Sequence, residues 1–373
     1  MLRRASSTLR PLINRISSLS TRSLGRLPNT QSPIVSKPHF FNSVTGDSNE
    51  LIPAFRLIDG TGVPLDGAGL PELDEAFARK LYENMQLLPN LDNILYNVQR
   101  QGKISFYMTA QPPLPMTMSR PQGKTNACPG VAYALRRSPE RSNSVAACFF
   151  GEGAASEGDF HAGLLLASTI PSPVVFIARN NGFAISTPSS EQYHGDGIAS
   201  RGPGYGIDTI RVDGNDVLAV LAAVREARTR CVEQGRAVLV ECMSYRVGHH
   251  STSDDSFAYR ARSEVEDRKR IDNPLARFRL FMETRGWWDA QAEEELKTRH
   301  RADVLKAFKR AETQSRWELG ELFTDIYAGE EPWNIKEQRK ELGRLLKKYG
   351  EDWEPWRREL QKYKNEGRDL IKE

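Results

Sequence analysis

The sequence predicts an α/β fold in which a parallel sheet is covered by helices on both faces. From Ser144 onward, four apolar runs alternate with helical segments, and each run is continuously apolar. Strands that are buried on both faces of a parallel sheet have this composition, whereas a strand with one solvated face alternates apolar and polar residues. In chain order the four runs are VAACFF, VVFIAR, TIRVDG and AVLVECMSYR.

Helices are predicted between and around these runs. Leu73–Leu88 has apolar residues at intervals of three or four positions, which marks one buried helical face. Pro89 is predicted to end or kink this helix at about Leu88. Two helices, Ala162–Thr169 and Asp216–Gln234, connect strands. The C-terminal part is mainly charged, and its predicted peripheral amphipathic helices are Ala290–Thr313 and Trp333–Glu373.

Composition is ordinary for a soluble globular protein. Of the 373 residues, 39% are hydrophobic and 27% charged, and no apolar run approaches the roughly 20 residues that a membrane helix needs. The four cysteines include no Cys-x-x-Cys pair, which argues against a disulfide framework or a zinc site. Seven basic and no acidic residues precede Asp47, so the net charge of +4 becomes −3 for the remainder. Nothing therefore indicates nucleic-acid binding.

The N-terminus reads MLRRASSTLRPLINRISSLSTRSLGR, which is rich in arginine and serine and lacks acids. This composition is typical of a mitochondrial transit peptide. A disordered basic tail is the alternative, and a secretory signal is disfavoured because no uninterrupted apolar core follows the arginines. We therefore expect residues 1–46 to be a transit peptide and disordered lead outside the fold, and the protein to act in the mitochondrial matrix. The main domain is expected at 47–330 and a charged helical extension at 331–373.

Polar clusters follow three predicted strands at their carboxyl ends, where doubly wound sheets bind ligands. Gly151-Glu152-Gly153 follows the first run, and its glycines allow a tight turn and a close approach to a phosphate. Glu152 offers a carboxylate oxygen that suits Mg²⁺. By itself this turn is more simply a plain strand-to-helix connection. Asn181, after the second run, offers a second, neutral oxygen ligand, and the two together are more specific than either alone.

Two histidines follow the fourth run, in the stretch GHHSTSDDS. An imidazole can donate a hydrogen bond to a phosphate and can exchange protons near neutral pH. The alternative for His249 and His250 is a structural pair within a loop. A metal hydrolase that uses both histidines and Asp254 is a further possibility. It lacks a third ligand at helical spacing, however, and does not account for Asn180-Asn181.

A Gly-acid-Gly turn after one strand and Asn-Asn after the next resemble the thiamine-diphosphate motif, with Glu152 where most of that superfamily has aspartate. The longer stretches are GEGAASEGDFHAG, RNNGFAISTPSSEQYHGDGIA, GPGYGI, IRVDGNDVLAV, YRVGHHSTSDDSFAYR and the upstream QRQGKISFYMT. From about Val131 to Trp288 the chain resembles the alpha subunits of the branched-chain 2-oxo acid dehydrogenases. The pyruvate dehydrogenase alpha subunit is the nearest alternative, but it typically has Asp at the position of Glu152 and His-Gly-His-Ser in place of GHHS.

The resemblance implies a role for each candidate residue. Glu152 and Asn181 would bind Mg²⁺ with the Phe183 backbone carbonyl as a third ligand. Arg179 would hold the diphosphate of thiamine diphosphate by charge-assisted hydrogen bonds. His250 would lie at the cofactor and substrate and serve as the catalytic residue in acyl transfer. The implied cofactor-binding residues are Gly151, Glu152, Gly153, Ala154, Arg179, Asn181 and His250, and the implied inhibitory phosphorylation site is Ser251.

The implied activity is oxidative decarboxylation of 3-methyl-2-oxobutanoate and related branched 2-oxo acids, with acyl transfer to lipoamide, in the catabolism of valine, leucine and isoleucine. The implied partners are a beta subunit, in an α2β2 heterotetramer, the lipoyl transacylase core, and a regulatory kinase and phosphatase. Because the family's beta chain supplies the glutamate that activates the aminopyrimidine, the alpha chain alone would be inactive. Neither a nucleic acid nor a membrane is expected as a partner.

The resemblance fails between Thr109 and Cys128, where the family has several dozen more residues. These include a Tyr-Arg-Glu element that holds the diphosphate, a Ser/Thr-rich loop that binds K⁺, two helices and the first strand of the cofactor domain. Here only AQPPLPMTMSRPQGKTNA is present, and its prolines predict an irregular, exposed stretch. Either an exon is missing from the gene model, or the chain is a shortened isoform. The latter would favour a non-catalytic, alpha-like protein that binds the beta subunit.

Overall fold

The computed structural model describes residues 25–28, 30–41, 51–108, 125, 127–314, 319–324 and 327–361. The chain divides into two compact units, and the division falls between His300 and Arg301. Among the described helices, none is both long enough and apolar enough to span a bilayer. The domain assignment expected from the sequence remains a prediction, except for the exclusion of residues 25–41 from the fold, which β1 contradicts.

A six-stranded parallel sheet forms the centre of the first unit and confirms the predicted α/β class. Its strands are β1 (Ile34–Val35), β2 (Ala54–Phe55), β3 (Ala146–Gly151), β4 (Val174–Asn180), β7 (Asp208–Asp213) and β8 (Val238–Met243). They lie in the order β1-β2-β7-β8-β4-β3. A short antiparallel pair, β5 (Phe183–Ala184) and β6 (Thr187–Pro188), follows β4. The four predicted apolar runs are β3, β4, β7 and β8.

Helices of the first unit cover the sheet and connect its strands, and the last two described helices belong to the second unit. Their bounds are α1 Glu75–Arg100, α2 Cys128–Arg137, α3 Glu152–Ala155, α4 Gly158–Thr169, α5 Ser189–Gln192, α6 Val217–Gln234, α7 Arg262–Ile271, α8 Pro274–Glu283, α9 Ala290–Thr313, α10 Trp333–Tyr349 and α11 Arg357–Leu360.

Alternate residues of β4 enter two different hydrophobic clusters, which shows that the sheet is buried on both faces. Val175 and Ile177 pack in a cluster with side chains of α1, α6 and α8. Val174 and Phe176 pack in a second cluster with side chains of α2 and α4. Because successive strand residues point to opposite faces, a strand covered on both sides is continuously apolar, as the sequence predicted.

Helix α6 begins and ends where the sequence predicts. The Asp216 side chain caps its first turn by accepting hydrogen bonds from the Leu218 and Ala219 amides at 3.0 and 3.1 Å. The other carboxylate oxygen of Asp216 accepts from the amides of Leu57 and Ile58, just after β2. Gly235 ends the helix in the left-handed conformation at φ 64°.

Three sequence predictions about local structure are wrong. Helix α1 continues through Pro89 to Arg100, so the prediction that it ends at Leu88 is wrong, and the alternative of a kink there stays a prediction. The C-terminal helix stops at Tyr349, because Gly350 follows and Trp353 leaves the helical conformation. Residues 362–373 of that prediction lie outside the described residues.

The third wrong prediction concerns the N-terminus, which was expected to lie outside the fold before about Asp47. Residues 25–41 instead belong to it, since β1 pairs with β2, and Leu27 and Ile34 are buried. Phe41 also forms a backbone bridge with Thr209 of β7. The sequence missed this segment because two strand residues are too few to show a periodicity. The proposed transit peptide falls mainly on residues 1–24, which lie outside the described residues.

A buried ion cluster joins the end of β7 to two other elements. Asp213 Oδ2 accepts from Arg56 Nε at 2.5 Å and from Arg277 Nη1 of α8 at 2.7 Å. Burial alone would raise the pKa of Asp213, but Arg277 and Arg56 hold it at about 2. The cluster therefore stabilises the fold most where the Asp213 carboxyl is ionised.

We expect Asp213→Asn to lower the free energy of unfolding by about 3–5 kcal/mol at pH 7, because it leaves Arg277 buried beside a neutral group. The pKa of Asp213 is depressed by folding, so its stabilisation is present above about pH 4 and is lost as the pH falls toward 2. Denaturant unfolding at several pH values measures this. Asp267→Asn, in an exposed pair with Arg270, is the control and should cost less than about 1 kcal/mol. A pH-independent effect at Asp213 would contradict the electrostatic account.

Candidate functional site

The polar clusters that follow β3 and β4 lie side by side at one edge of the sheet. Gly151, the last residue of β3, is paired with Arg179 of β4. The end of β4 is in turn joined to β8, because the Ser244 amide donates to the Asn180 carbonyl at 2.8 Å. Glu152 therefore comes directly above the end of its neighbouring strand, where a ligand of a parallel sheet would bind.

Glu152 is a buried carboxylate that uses only part of its hydrogen-bonding capacity. Its Oε2 atom accepts from the Asn181 amide at 3.3 Å, and its Oε1 atom has no hydrogen-bond partner among the described residues. Burial raises the pKa of Glu152 to about 7, although backbone amides and Arg179 act in the opposite direction. A desolvated anionic oxygen without a donor is well suited to a cation.

The backbone after β4 wraps around this carboxylate. Asn181 and Phe183 both contribute amide hydrogen bonds that favour the ionised form of Glu152. Gly182, between them, has φ +88°, a conformation that L side chains rarely adopt. A Cβ atom on Gly153 would approach the Ala184 Cβ atom to 3.1 Å, so a glycine lets the two backbones pass closely. The structure thus brings together all three residues that were predicted to bind the metal.

The Asn180 side chain connects the segment after β4 to the neighbouring strand β8. Its side-chain oxygen accepts from the Gly182 amide at 3.2 Å, and its side-chain nitrogen donates to Glu241 Oε1 at 2.9 Å. Glu241 is fully buried in β8 and also accepts from the Ile198 amide and from Arg211 Nε. The sequence analysis did not single out Glu241. A lone glutamate within the apolar run AVLVECM was the signal that could have identified it.

Arg179 is buried beside Glu152 at the end of β4. Burial lowers the pKa of Arg179 to about 10, and the charge of Glu152 opposes this effect. The guanidinium therefore remains charged at neutral pH. A buried cation next to the candidate metal ligand is consistent with a site that receives an anion as well as a metal.

The two histidines after β8 have different surroundings. His249 Nδ1 accepts from the Ser256 amide at 3.0 Å and its ring packs edge-on against Phe257, which indicates a structural role. His250 is half-buried, and its backbone amide donates to Asp254 Oδ2 at 2.8 Å. Burial, and then the charge of Arg246, lower the pKa of His250, with Asp254 opposing them. His250 is therefore neutral at neutral pH.

Arg246 connects the histidine loop to the carboxylate site and was not identified from the sequence. It is buried, and its Nη2 atom donates to the Ile185 carbonyl at 2.5 Å and to the Tyr259 hydroxyl at 2.7 Å. Its charge interacts with both Glu152 and His250. The predicted metal ligands and the predicted catalytic histidine therefore lie within the electrostatic reach of one cation.

Ser251 lies inside the same loop and is buried. Its hydroxyl is 3.2 Å from the Ser253 hydroxyl. The next residue, Thr252, exchanges hydrogen bonds with the backbone of Tyr107, whose own hydroxyl donates to Asp92 at 2.6 Å. The loop is thus fastened to the QRQGKISFYMT stretch that was noted in the sequence.

The stretch Ala110–Ala127 was predicted to be irregular and exposed. Of this stretch the structure describes Thr125 and Ala127, and Thr125 is buried, so the predicted exposure is wrong at that residue. The predicted irregular, exposed conformation of residues 110–124 lies outside the described residues. Within the described part of the chain, no group of three or more His, Cys, Asp and Glu residues could hold a metal. The candidate magnesium site is not a group of this type, because two of its three predicted ligands are an amide side chain and a backbone carbonyl.

The sequence matches the Dehydrogenase E1 component family over residues 115–319, more than half of the chain. The chain belongs to this family. It is 39% identical to the mitochondrial 2-oxoisovalerate dehydrogenase subunit alpha of Macaca fascicularis, and 38% identical to that of Homo sapiens, over 88% of this chain and 87% of each relative. Subunit alpha 1 of Arabidopsis thaliana is 38% identical over 83% of this chain and 78% of its own length.

The lengths of these alignments support the absence of a segment. The alignment with the Macaca fascicularis protein spans 394 positions but contains only 88% of this 373-residue chain, which is about 328 residues. Roughly 66 positions of the relative therefore have no counterpart here. This agrees with the several dozen residues expected to be missing between Thr109 and Cys128.

We expect Asn180→Ala to raise about tenfold the Mg²⁺ concentration needed for half-maximal binding of thiamine diphosphate, because the Gly182 turn loses its side-chain acceptor. The measurement is a Mg²⁺ titration, followed by calorimetry, of a version that carries the family's longer segment and is co-expressed with the beta subunit. Tyr193→Phe is the matched control, since it removes only the 3.2 Å contact on the other side of Asn180. A lower melting temperature with an unchanged Mg²⁺ requirement would show that Asn180 has a structural role only.

Proposed function

We propose that this chain is the alpha subunit of a mitochondrial branched-chain 2-oxo acid dehydrogenase. The reaction is the thiamine-diphosphate-dependent oxidative decarboxylation of 3-methyl-2-oxobutanoate and related branched 2-oxo acids, with transfer of the acyl group to lipoamide. The observation that carries the proposal is the buried Glu152 carboxylate, with one free oxygen, against Asn181 and Phe183. It occurs in a member of the dehydrogenase E1 family that is 38–39% identical to 2-oxoisovalerate dehydrogenase alpha subunits.

The residues present fit a magnesium ion bound to a diphosphate. Glu152 Oε1, the Asn181 side-chain oxygen and the Phe183 carbonyl would hold Mg²⁺, which prefers oxygen ligands and keeps phosphate oxygens in its coordination sphere. Arg179 and the backbone from Gly151 to Ala154 would hold the diphosphate. When bound, thiamine diphosphate supplies the carbanion chemistry of decarboxylation, and the protein positions it and excludes water.

His250 is the proposed catalytic residue of this chain. Its imidazole is half-buried and its pKa is lowered, so it is neutral at neutral pH and can either donate or accept a hydrogen bond. Such a group suits the acyl-transfer step, in which protons move near the substrate oxygen. Arg246 and Asp254 fix the loop that carries it.

The proposed partners are a beta subunit, in an α2β2 heterotetramer, and a lipoyl transacylase core. Leu165 and Leu166 of α4 and Ile170, which directly follows this helix, are exposed. Apolar side chains grouped in this way favour an interface with another subunit. The proposed location is the mitochondrial matrix, in keeping with the names of the relatives.

Ser251 is the proposed phosphorylation site for a regulatory kinase and phosphatase. A phosphate there would add almost two negative charges to the loop of His250, beside the diphosphate site. Because Ser251 is buried, a kinase could reach it only after the loop had left Tyr107.

The second candidate function is a non-catalytic, alpha-like protein that binds the beta subunit. The roughly 66 unmatched positions favour it. By the resemblance, these positions would include the family's Tyr-Arg-Glu element and its K⁺-binding loop. The three candidate metal ligands favour the enzyme instead. A buried carboxylate oxygen without a donor is costly in a protein that binds no cation.

We expect Glu152→Ala, in the version with the longer segment and its beta partner, to weaken Mg²⁺-dependent binding of thiamine diphosphate by at least about a hundredfold. A lost charged ligand costs a few kcal/mol. Calorimetric titration with and without Mg²⁺ measures the effect. The exposed Glu157, at the start of α4, provides the control Glu157→Ala, which should bind normally. Unchanged cofactor affinity in Glu152→Ala would refute the assignment.

A further inference from the structure

Two of the four cysteines lie against each other, away from the candidate metal site. Cys128 is the first residue of α2, and Cys148 lies in the middle of β3, onto which α2 packs. Both belong to the hydrophobic cluster on one face of the sheet, and their thiols share a hydrogen bond. Neither forms a disulfide in this structure. Scattered spacing in the sequence gave no sign of this contact.

The two thiols differ in exposure and in acidity. Cys128 is half-buried, and the hydrogen bond from Cys148 lowers its pKa to about 7, against the effect of burial. Cys128 therefore has a larger thiolate fraction at neutral pH than an ordinary cysteine, and its place at the start of a ten-residue helix also favours the anion. Cys148 is buried, and its hydrogen bond to Cys128 and its burial raise its pKa.

The other two cysteines provide an internal comparison. Cys231 and Cys242 are fully buried, and burial raises the pKa of each thiol to about 12. Cys231 also donates to the Val174 carbonyl at 3.4 Å. These two are inert core thiols, whereas Cys128 is accessible and partly ionised beside a second thiol.

We propose that Cys128 and Cys148 form a reversible redox pair, a modification site that reacts with small disulfides and closes an intramolecular disulfide between α2 and β3. The Cys128 thiolate attacks one sulfur of a small disulfide, whose S–S bond breaks and releases one thiolate, which takes a proton from water. Cys148 then loses its proton to solvent and attacks the Cys128 sulfur, which displaces the second small thiol. Two protein thiols are oxidised, and one small disulfide is reduced to two thiols.

The oxidised pair would tie the start of α2 to the strand that leads into the candidate metal site. Cys148 precedes Gly151 and Glu152 in β3. Residue 128 also follows directly on the stretch in which the family's longer segment is missing. A cross-link here restrains the unfolded chain and joins covalently two elements that pack against each other. We therefore expect the oxidised protein to melt at a higher temperature than the reduced one.

The test uses the full chain and oxidised glutathione at pH 7, with alkylation of the remaining thiols followed by trypsin. Arg136, Arg137 and Arg141 lie between the two cysteines, so the disulfide appears as two joined peptides in mass spectrometry. We expect this joined pair in the wild type and in Cys231→Ser. We expect a stable glutathione adduct on Cys128 in Cys148→Ala, and neither product in Cys128→Ser.

A second measurement does not depend on disulfide closure. The rate of alkylation of Cys128 at pH 7 should fall about tenfold in Cys148→Ala, because the Cys128 pKa returns to its ordinary range near 8.5. The far-ultraviolet circular dichroism of each variant checks its fold. A lasting glutathione adduct on wild-type Cys128 without closure, or an equal alkylation rate in Cys148→Ala, would overturn the proposal. Neither measurement involves cofactor or activity, so the result is independent of the proposed function.

Discussion

Burial of the Glu152 carboxylate is the constraint on which the rest of the site depends. A carboxylate loses hydration when β3 and β4 end side by side around it, and its pKa rises to about 7. The surrounding backbone offers amides to one oxygen and leaves the other without a donor. A divalent cation at this oxygen would offset the cost, because it stabilises the ionised form directly. The positive φ of Gly182 and the hydrogen bonds of Asn180 follow from the need to bring the next segment over this oxygen.

The central sheet could be predicted from the sequence because the physical signal is long and redundant. Each of β3, β4, β7 and β8 is a run of buried residues, and α6 has an aspartate cap and a terminal glycine. The same reasoning failed where one local rule competed with tertiary contacts. Pro89 was expected to end or kink α1, but the helix continues, and the buried face formed by Tyr82, Met85 and Ile94 extends across it. Strands of two residues carry no periodicity, so β1 and β2 were not predicted.

The sequence predicted candidate ligands for the site but not the residues that support them. Glu152 and Asn181 lie at strand ends and belong to a sequence motif that can be recognised. Glu241 and Arg246 instead act through buried contacts, which residue spacing in the sequence does not indicate. The two adjacent histidines have different contacts. The His249 ring accepts a hydrogen bond from the Ser256 amide, whereas His250 donates its backbone amide to Asp254. The thiol contact between Cys128 and Cys148 likewise exists only once α2 is packed on β3.

The central claim is that the described residues hold the metal half of a thiamine-diphosphate site, while part of the grip on the diphosphate belongs to a segment that this chain lacks. Calorimetric titration with Mg²⁺ and thiamine diphosphate tests it most directly. The chain as written should be compared with a version that carries the relatives' longer segment, each co-expressed with the beta subunit. The account predicts tight, Mg²⁺-dependent binding only in the longer version, with affinity at least about a hundredfold lower in the chain as written. Equal and tight binding by both would show that the segment is dispensable and would contradict the account.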